Sequence, residues 1–281
     1  MDIRILALDL DGTLLTDHNH VSDACREAVQ AARAKGIAAV ICTGRNAADS
    51  CLFGEQAGGM DWAVTGNGAE VRSLVDGGVI FTDLLGEAPG LALVEGCERF
   101  GTDPCFYTPD AVYYGREFER FVEDCAAHGL SFNFIERKNY HRVPDGGWRA
   151  FVQSHHNEIL KAILHAGSPA LVDTMHQWLV QDGRFEAAPS EMFGGQLKNI
   201  EVNRKGVSKG RALAALAERL GCTMENVMAI GDSDNDLSML RLAGLGVAMG
   251  NAPVHIQAAA DAVTADNVQD GVARAIETYL L

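Results

Sequence analysis

The 281-residue sequence predicts an α/β fold, a doubly wound, Rossmann-like parallel sheet core with an inserted α+β domain. Three observations predict it. Short apolar runs alternate with amphipathic stretches towards both ends of the chain, which is typical of parallel strands joined by helical crossovers. Polar clusters follow directly after several apolar runs, where open α/β sheets place their ligands. The middle of the chain carries most of the aromatic residues and several hairpin-like turns.

The first part of the chain predicts three strands, Ile3–Leu8, Ile37–Cys42 and Trp62–Val64, because each is a short apolar run. Ser22 is a typical N-cap and predicts the start of a helix that runs to about Lys35, with Gly36 as the residue that stops it. A helix-like stretch also separates the second and third strands. This alternation favours a parallel sheet.

The last part of the chain repeats the pattern. An amphipathic helix over Ser208–Leu220 is followed by predicted strands at Val227–Ile230 and Gly246–Met249, and the chain finishes with a helix over Gly271–Leu281. The two ends together therefore predict a single sheet.

The middle of the chain mixes strand and helix signals, and Ser168 followed by Pro169 predicts a helix start. We predict that residues 1–83 and 195–281 form the core, and that residues 84–194 form a separate α+β domain inserted into it.

Composition excludes several classes of function. The net charge of −15 argues against sequence-independent binding of nucleic acid and against an anionic membrane surface. The seven cysteines include no C-x-x-C pair, which suits free thiols in a reducing compartment and gives no zinc signature. Because we find no targeting or membrane-spanning segment, we expect a cytoplasmic protein. We also expect a small-molecule partner and a monomer or homodimer.

Two carboxylates, Asp9 and Asp11, follow the first predicted strand and precede Gly12 and Thr13. If the strand continued, both would point the same way, and two such charges need a cation, a shared proton or solvent. The alternative is an ordinary turn that closes the strand.

Four polar clusters stand at predicted strand ends or helix starts: Asp9 with Asp11, Thr43, Lys209, and the acidic run of residues 232–236. Each has a simple alternative as a turn, a solvated loop or a surface lysine. In a doubly wound sheet, however, they would converge on one edge.

Together these groups suit phosphoryl transfer. Mg²⁺ prefers oxygen ligands and needs few carboxylates when a phosphate is present. An aspartate can attack phosphorus, and a second carboxyl group can protonate the leaving alcohol and later activate water. A hydroxyl, a backbone amide and a lysine can neutralise the phosphoryl oxygens.

The ordered motifs resemble the haloacid dehalogenase (HAD) superfamily: Asp-Leu-Asp-Gly-Thr-Leu (9–14), Thr-Gly-Arg (43–45), Gly-Val-Ser-Lys-Gly (206–210) and Gly-Asp-Ser-Asp-Asn-Asp (231–236). The large insert between the second and third motifs resembles the Cof-like, class IIB phosphatases. Further matches lie at residues 67–69, 239–240, 247–252 and 270–273. The insert, which would be the cap domain of such enzymes, matches in size and position.

The resemblance implies that Asp9 is the nucleophile and a magnesium ligand, and that Asp11 is the general acid/base, with its backbone carbonyl on the metal. Lys209 would neutralise the phosphate and the nucleophile, and Thr43 and the amide of Gly44 would hold the phosphate.

The resemblance further implies that Asp232 is a direct metal ligand, while Asn235 and Asp236 contact phosphate or lie behind the direct ligands. Lys205, four residues before Lys209, is a rival on charge alone.

The implied function is that of a Mg²⁺-dependent phosphatase of small phosphorylated metabolites. Sugar phosphates are the favoured substrates, and flavin or pyridoxal phosphates are the alternatives. The alternatives are a phosphomutase or phosphotransferase on the same scaffold, and a metabolite-binding regulator without turnover. Specificity would lie in the inserted domain, where no motif is apparent. The basic segment 136–142 could contact a leaving group, although a solvated loop is the simpler interpretation.

Overall fold

The computed structural model describes residues 1–17, 19–129 and 138–281. The chain forms two compact units, one of Met1–Thr82 with Ser208–Leu281 and one of Asp83–Val207.

The strands, in chain order, are β1 (Ile5–Leu8), β2 (Ala38–Cys42), β3 (Trp62–Thr65), β4 (Glu70–Ser73), β5 (Val79–Thr82), β6 (Pro104–Tyr107), β7 (Val112–Tyr114), β8 (Tyr140–Arg142), β9 (Lys161–His165), β10 (Phe185–Met192), β11 (Leu197–Arg204), β12 (Val227–Gly231), β13 (Leu245–Ala248) and β14 (Ala262–Val263). The helices are α1 (Asp23–Ala34), α2 (Ala47–Gln56), α3 (Glu87–Phe100), α4 (Arg116–Ala127), α5 (Trp148–His155), α6 (Pro169–Asp182), α7 (Lys209–Arg219), α8 (Leu237–Leu242), α9 (Val254–Gln257) and α10 (Gly271–Tyr279).

The described residues of the first unit form one eight-stranded sheet in the spatial order β14-β13-β12-β1-β2-β3-β4-β5. The strands from β14 to β3 run parallel, and β4 and β5 are antiparallel. β1 lies between β12 and β2, with Leu8 level with Ile230 and Ile41. The predicted α/β fold with a parallel core sheet is confirmed.

Both faces of the parallel part of this sheet are covered, which is why β1, β2, β12 and β13 read as apolar runs. Leu6 and Leu8 pack in one apolar layer with residues of α1 and α10. Ile5 and Ala7 pack in the other layer, with residues of α7 and α8. Successive side chains of β1 thus point to opposite faces, as strand geometry requires.

Two predicted helix starts are confirmed by their caps. The Ser22 hydroxyl oxygen accepts a hydrogen bond from the Cys25 amide at 3.1 Å, and α1 follows. The Ser208 hydroxyl oxygen accepts from the Arg211 amide at 3.3 Å. This second cap makes Lys209 the first residue of α7, where the helix start fixes the base of its side chain.

The second unit contains a six-stranded sheet in the order β10-β11-β9-β6-β7-β8. Its pairs are antiparallel except for β7 with β8. Phe106 and Tyr113 face each other across β6 and β7, and both contact the ring of Phe151. Phe106 lies in the core of the unit, and Tyr113 packs against that core.

The second unit extends beyond the predicted insert of residues 84–194. β11 pairs with β10 and with β9, so it belongs to the second sheet and the unit runs to Val207. Ile200 and Val202 of β11 lie in the core of this unit. The alternating pattern of β11 fits a strand of either sheet, which is why the sequence does not show the boundary. Of the basic segment 136–142, residues 136 and 137 lie outside the described residues.

All seven cysteines are free thiols, in agreement with the absence of paired spacing in the sequence. Within the described ranges, the structure has no helix whose length and apolar character would allow it to cross a membrane.

His165, at the end of β9, is a buried histidine with an unusual environment. Neither ring nitrogen has a hydrogen-bond partner among the described residues. The ring stacks on Phe121, with 4.0 Å between centroids, and lies 5.8 Å from the ring of Phe118. Burial lowers the pKa of His165 to about 3.

We expect His165 to destabilise the protein in mild acid. Its folded-state pKa lies below the unfolded value of 6.5, so the unfolded chain binds more protons between these values and stability is lost as the pH falls. This titration lowers the free energy of unfolding by about 2 kcal/mol as the pH falls from 8 to 5. His165→Phe keeps an aromatic ring and removes the titration. Urea unfolding gives the free energy of unfolding at pH 8 and at pH 5, and in this variant the difference between them should be smaller by that amount. An unchanged difference would contradict the assignment.

Candidate active site

Asp9 directly follows β1 and points into a buried cluster of charged groups. Its amide continues the ladder with β12, donating to the Ile230 carbonyl at 3.0 Å. Asp9 is 4% exposed and Lys209 is fully buried. The Lys209 ammonium donates to Asp9 Oδ1 and to Asp236 Oδ1, both at 2.6 Å. The sheet edge and the start of α7 thus bring together residues 200 positions apart.

Burial dominates the electrostatics of this cluster. It raises the pKa of Asp9 well above the ordinary 3.8, the Asp236 carboxylate raises it further, and the Lys209 ammonium opposes both. Burial likewise raises the pKa of Asp232 to about 6. Burial lowers the pKa of Lys209, but the carboxylates of Asp236 and Asp9 outweigh this effect and hold it above its ordinary value. One ammonium therefore faces more negative charge than it can neutralise.

Asp9, Asp232 and Asp236 each offer a carboxylate oxygen, and these oxygens lie within 4.8 Å of one another. Such a set of hard oxygen donors with excess negative charge fits a divalent cation. Asp236 has the least free capacity, because Oδ1 accepts from Lys209 and Oδ2 accepts from the amides of Asp232 and Ser233. Its geometry suits a residue that orients the loop and the lysine.

Thr43 lies at the end of β2, on the same sheet edge. Its amide donates to the Val64 carbonyl at 2.8 Å, and its carbonyl accepts from the Asn67 amide at 3.0 Å. Gly44 is the next residue of this turn. The Asn235 side-chain amide donates to Asn67 Oδ1 at 3.2 Å, so Asn67 connects the Thr43 turn to the acidic loop.

Asp11 is directed elsewhere. The strand ends at Leu8, and the chain turns so that the Leu14 amide donates to the Asp9 carbonyl at 3.3 Å. The Asp11 carboxylate, 54% exposed, is bound by the Arg45 guanidinium and lies outside the acidic cluster. The two carboxylates therefore do not point the same way, and each has its own cationic partner.

Close backbone approaches hold the loops of the site together. Gly12 has φ +80°, and a Cβ there would lie 2.5 Å from Asp232 Oδ2. Gly68 has φ +108°, and a Cβ there would lie 2.3 Å from the Ser208 carbonyl oxygen. The turn after β3 thus packs directly against the residue that precedes Lys209.

The structure brings Asp9, Lys209, Asp232 and Asp236 together and places Thr43 and Asn235 on connected turns. The rival Lys205 belongs to the second unit, where it forms an ion pair with Glu186 at 2.9 Å.

Three site residues received no role from the sequence. The Thr13 hydroxyl donates to Asp232 Oδ1 at 2.8 Å, Arg45 binds Asp11, and Asn67 bridges two loops. All three stand inside motifs that the sequence shows, but only the folded geometry reveals their partners.

Comparison with known proteins identifies the family. The family model described as haloacid dehalogenase-like hydrolase matches residues 6–276. This chain belongs to the haloacid dehalogenase-like hydrolase family. The resemblance carried by the sequence motifs is thereby confirmed. Full-length relatives that are phosphatases show in addition that the chain is a phosphoric monoester hydrolase.

Relatives match over the full length. YcsE of Bacillus subtilis, a 5-amino-6-(5-phospho-D-ribitylamino)uracil phosphatase, is 33% identical over 286 residues, which cover 100% of this chain and 97% of that protein. YbhA of Escherichia coli, a pyridoxal phosphate phosphatase, is 28% identical over 299 residues, covering 100% of both. The solved structure of a haloacid dehalogenase-like hydrolase from B. subtilis has a TM-score of 0.82 at 25% identity and covers 99% of this chain and 100% of that one.

We expect Gly68→Ala to impair the phosphatase by displacing the start of α7. The new methyl group would overlap the Ser208 carbonyl, and such overpacking costs about 1–3 kcal/mol. A shift of Lys209 by a fraction of an ångström should lower kcat/KM by about tenfold or more.

Gly77→Ala is the matched control, because Gly77 has φ +75° with no atom within 4 Å of its Cβ position. It places an alanine at a positive φ without the collision. Thermal unfolding and phosphatase kinetics of both variants test the argument, and equal activity in the two variants would contradict it.

Proposed function

We propose that this chain is a magnesium-dependent phosphatase that hydrolyses small phosphorylated metabolites through an aspartyl-phosphate on Asp9. One observation carries the proposal: Asp9 ends the central strand of the sheet in a buried contact with Lys209, 2.6 Å away, beside two further carboxylates. A nucleophilic carboxylate needs this combination of a fixed position and neighbouring positive charge.

The reaction has two steps. In the first, an Asp9 carboxylate oxygen bonds to phosphorus while the bond from phosphorus to the leaving oxygen breaks, and Asp11 gives that oxygen a proton. In the second, water attacks the phosphorus, Asp11 takes a proton from the water, and the bond from phosphorus to Asp9 breaks. Each displacement is easier than direct hydrolysis.

The surrounding groups bind and orient. Lys209 neutralises the nucleophile and the phosphoryl oxygens, and Thr43, the amide of Gly44 and Asn235 hold the phosphoryl group. Because Lys209 is buried and bound by two carboxylates, its ammonium has one position.

Mg²⁺ would be held by Asp9 and Asp232 and by the backbone carbonyl of Asp11, with Asp236 behind these ligands. When bound, the ion supplies positive charge that lets buried carboxylates ionise and that offsets charge on the phosphoryl oxygens. Thr13, which donates to Asp232, fixes the orientation of that carboxylate.

The substrate class follows from the relatives. Because full-length relatives act on a phosphoribitylamino-uracil and on pyridoxal phosphate, we propose a phosphorylated sugar, ribityl or pyridoxal compound. We assign substrate specificity to the inserted unit, which would serve as the cap. The free thiols favour a reducing compartment, and we propose the cytoplasm.

Metal-dependent turnover is the first test. The protein should release inorganic phosphate from p-nitrophenyl phosphate with Mg²⁺, lose that activity in EDTA and regain it on adding Mg²⁺. Asp9→Asn should lower kcat by at least about a thousandfold, since no nucleophile remains. Asp234→Asn is the control and should retain activity, because the Asp234 carboxylate is exposed and pairs with His255. Full activity of Asp9→Asn would refute the proposal.

The covalent intermediate is the second test. With p-nitrophenyl phosphate, whose leaving group departs without a proton, Asp11→Asn should accumulate phosphorylated protein, because the aspartyl-phosphate forms but water is not activated. Acid quenching, peptide mapping and mass spectrometry should place one phosphoryl group on Asp9. Modification of another residue, or none during turnover, would contradict the mechanism.

The substrate class needs a kinetic panel. Among the phosphate esters of the panel, the highest kcat/KM should belong to a sugar phosphate, to pyridoxal 5′-phosphate or to 5-amino-6-(5-phospho-D-ribitylamino)uracil. Phosphate release into water without an added sugar separates hydrolysis from transfer to an acceptor. Turnover that requires an acceptor would favour a phosphomutase, and tight binding without release would favour a regulator.

A further inference from the structure

Arg45 and Asp11 form a two-point contact at the edge of the site. Arg45 Nε donates to Asp11 Oδ2 at 2.8 Å, and Nη2 donates to Asp11 Oδ1 at 2.5 Å. A fork of this kind fixes both the position and the plane of a carboxylate, which a single hydrogen bond does not.

Arg45 is itself held in place on several sides. Its amide donates to Thr43 Oγ1 at 3.1 Å, and its carbonyl accepts from the Gly66 amide at 2.9 Å. From α2, the Phe53 ring centre lies 4.9 Å from the guanidinium carbon, and Asp49 Oδ2 lies 3.7 Å from Nη1. The backbone of Arg45 thus belongs to the turn that carries Thr43.

Asp11 depends on this fork for its orientation. Its side chain is short and half exposed, and in the described part of the chain Arg45 provides both hydrogen bonds to its carboxylate. Each oxygen keeps a second lone pair on the side away from the guanidinium. An unrestrained carboxyl group would sample several rotamers, and few of them would suit proton transfer.

We propose that Arg45 is a positioning residue that aims the Asp11 carboxyl group at the leaving oxygen of the substrate. The proposal rests on the acid/base role of Asp11 in the proposed function. When Asp11 gives its proton to the leaving oxygen, as the bond from that oxygen to phosphorus breaks, the guanidinium faces the carboxylate that forms. Arg45 thereby couples the Thr43 turn to the proton-transfer group.

A different role for Arg45 would be direct binding of the phosphate, and the two roles differ in their kinetics. A phosphate-binding residue contributes equally to all phosphate esters. A residue that acts through the general acid matters only when the leaving group needs a proton. p-Nitrophenolate leaves without one, whereas an alkoxide does not.

The test compares p-nitrophenyl phosphate with the alkyl phosphate that the kinetic panel shows to be hydrolysed fastest. kcat/KM is the informative quantity, because it reports the steps through departure of the leaving group. Arg45→Lys keeps the charge but cannot form the fork. It should lower kcat/KM for the alkyl ester by about tenfold to a hundredfold and change the value for p-nitrophenyl phosphate by less than about threefold.

Two further variants complete the experiment. In an Asp11→Asn background, Arg45→Lys should add no further loss, because both substitutions remove the same function. Arg33→Lys is the matched control, since Arg33 forms a similar fork on Asp61 at 3.2 and 2.7 Å in the same unit. It should leave the ratio of the two kcat/KM values unchanged, and melting temperatures confirm that each variant is folded.

An equal loss on both esters in Arg45→Lys would overturn the positioning role, as would an additional loss in the Asp11→Asn background. If Asp11→Asn itself treats the two esters alike, the acid role of Asp11 fails and the positioning role fails with it. Selective loss in Asp11→Asn without selective loss in Arg45→Lys would overturn the inference on Arg45 alone.

Discussion

The buried ammonium of Lys209, held between Asp9 and Asp236, is the interaction on which the site depends. A lysine without solvent is stable as a cation only when carboxylates surround it, and removing one partner of a buried pair typically costs about 3–5 kcal/mol. This contact joins the end of β1, the start of α7 and the acidic loop after β12. It therefore fixes the Asp9 carboxylate, the proposed nucleophile, with respect to the ammonium that neutralises it.

The sheet makes this contact possible because parallel strands end at one edge. Backbone packing then sets the distances. Gly68 lets the turn after β3 touch Ser208, and Gly12 lets the turn after β1 approach Asp232. Asn67 connects two of these turns through its side chain and backbone. The proposed catalytic groups are thus held by loops that are anchored to one another as well as to the sheet.

The sequence predicts those parts of the site that follow from local pattern. Apolar runs that end in polar residues locate Asp9 and Thr43, and the amphipathic stretch from Ser208 to Leu220 locates the helix that carries Lys209. The direction of Asp11 does not follow, because it depends on the turn after Leu8 and on Arg45, more than thirty residues away. The fork is therefore visible only once the chain is folded.

The domain boundary shows the same limit. β11 alternates apolar and polar residues as any half-buried strand would, and only its pairing with β9 and β10 assigns it to the second unit. His165 is a further case: a histidine in a strand has no sequence signal for the loss of its hydrogen-bond partners. Motifs can be recognised in the sequence because they are local, whereas contacts between residues far apart in the chain cannot.

The most direct measurement of the central claim is a crystal structure with Mg²⁺ and beryllium fluoride, a mimic of an aspartyl-phosphate. The account predicts the beryllium on a carboxylate oxygen of Asp9, Mg²⁺ in contact with Asp9 and Asp232, and the Lys209 ammonium within hydrogen-bond distance of the fluorides. Beryllium on another residue, or a Lys209 side chain turned away from Asp9, would contradict it.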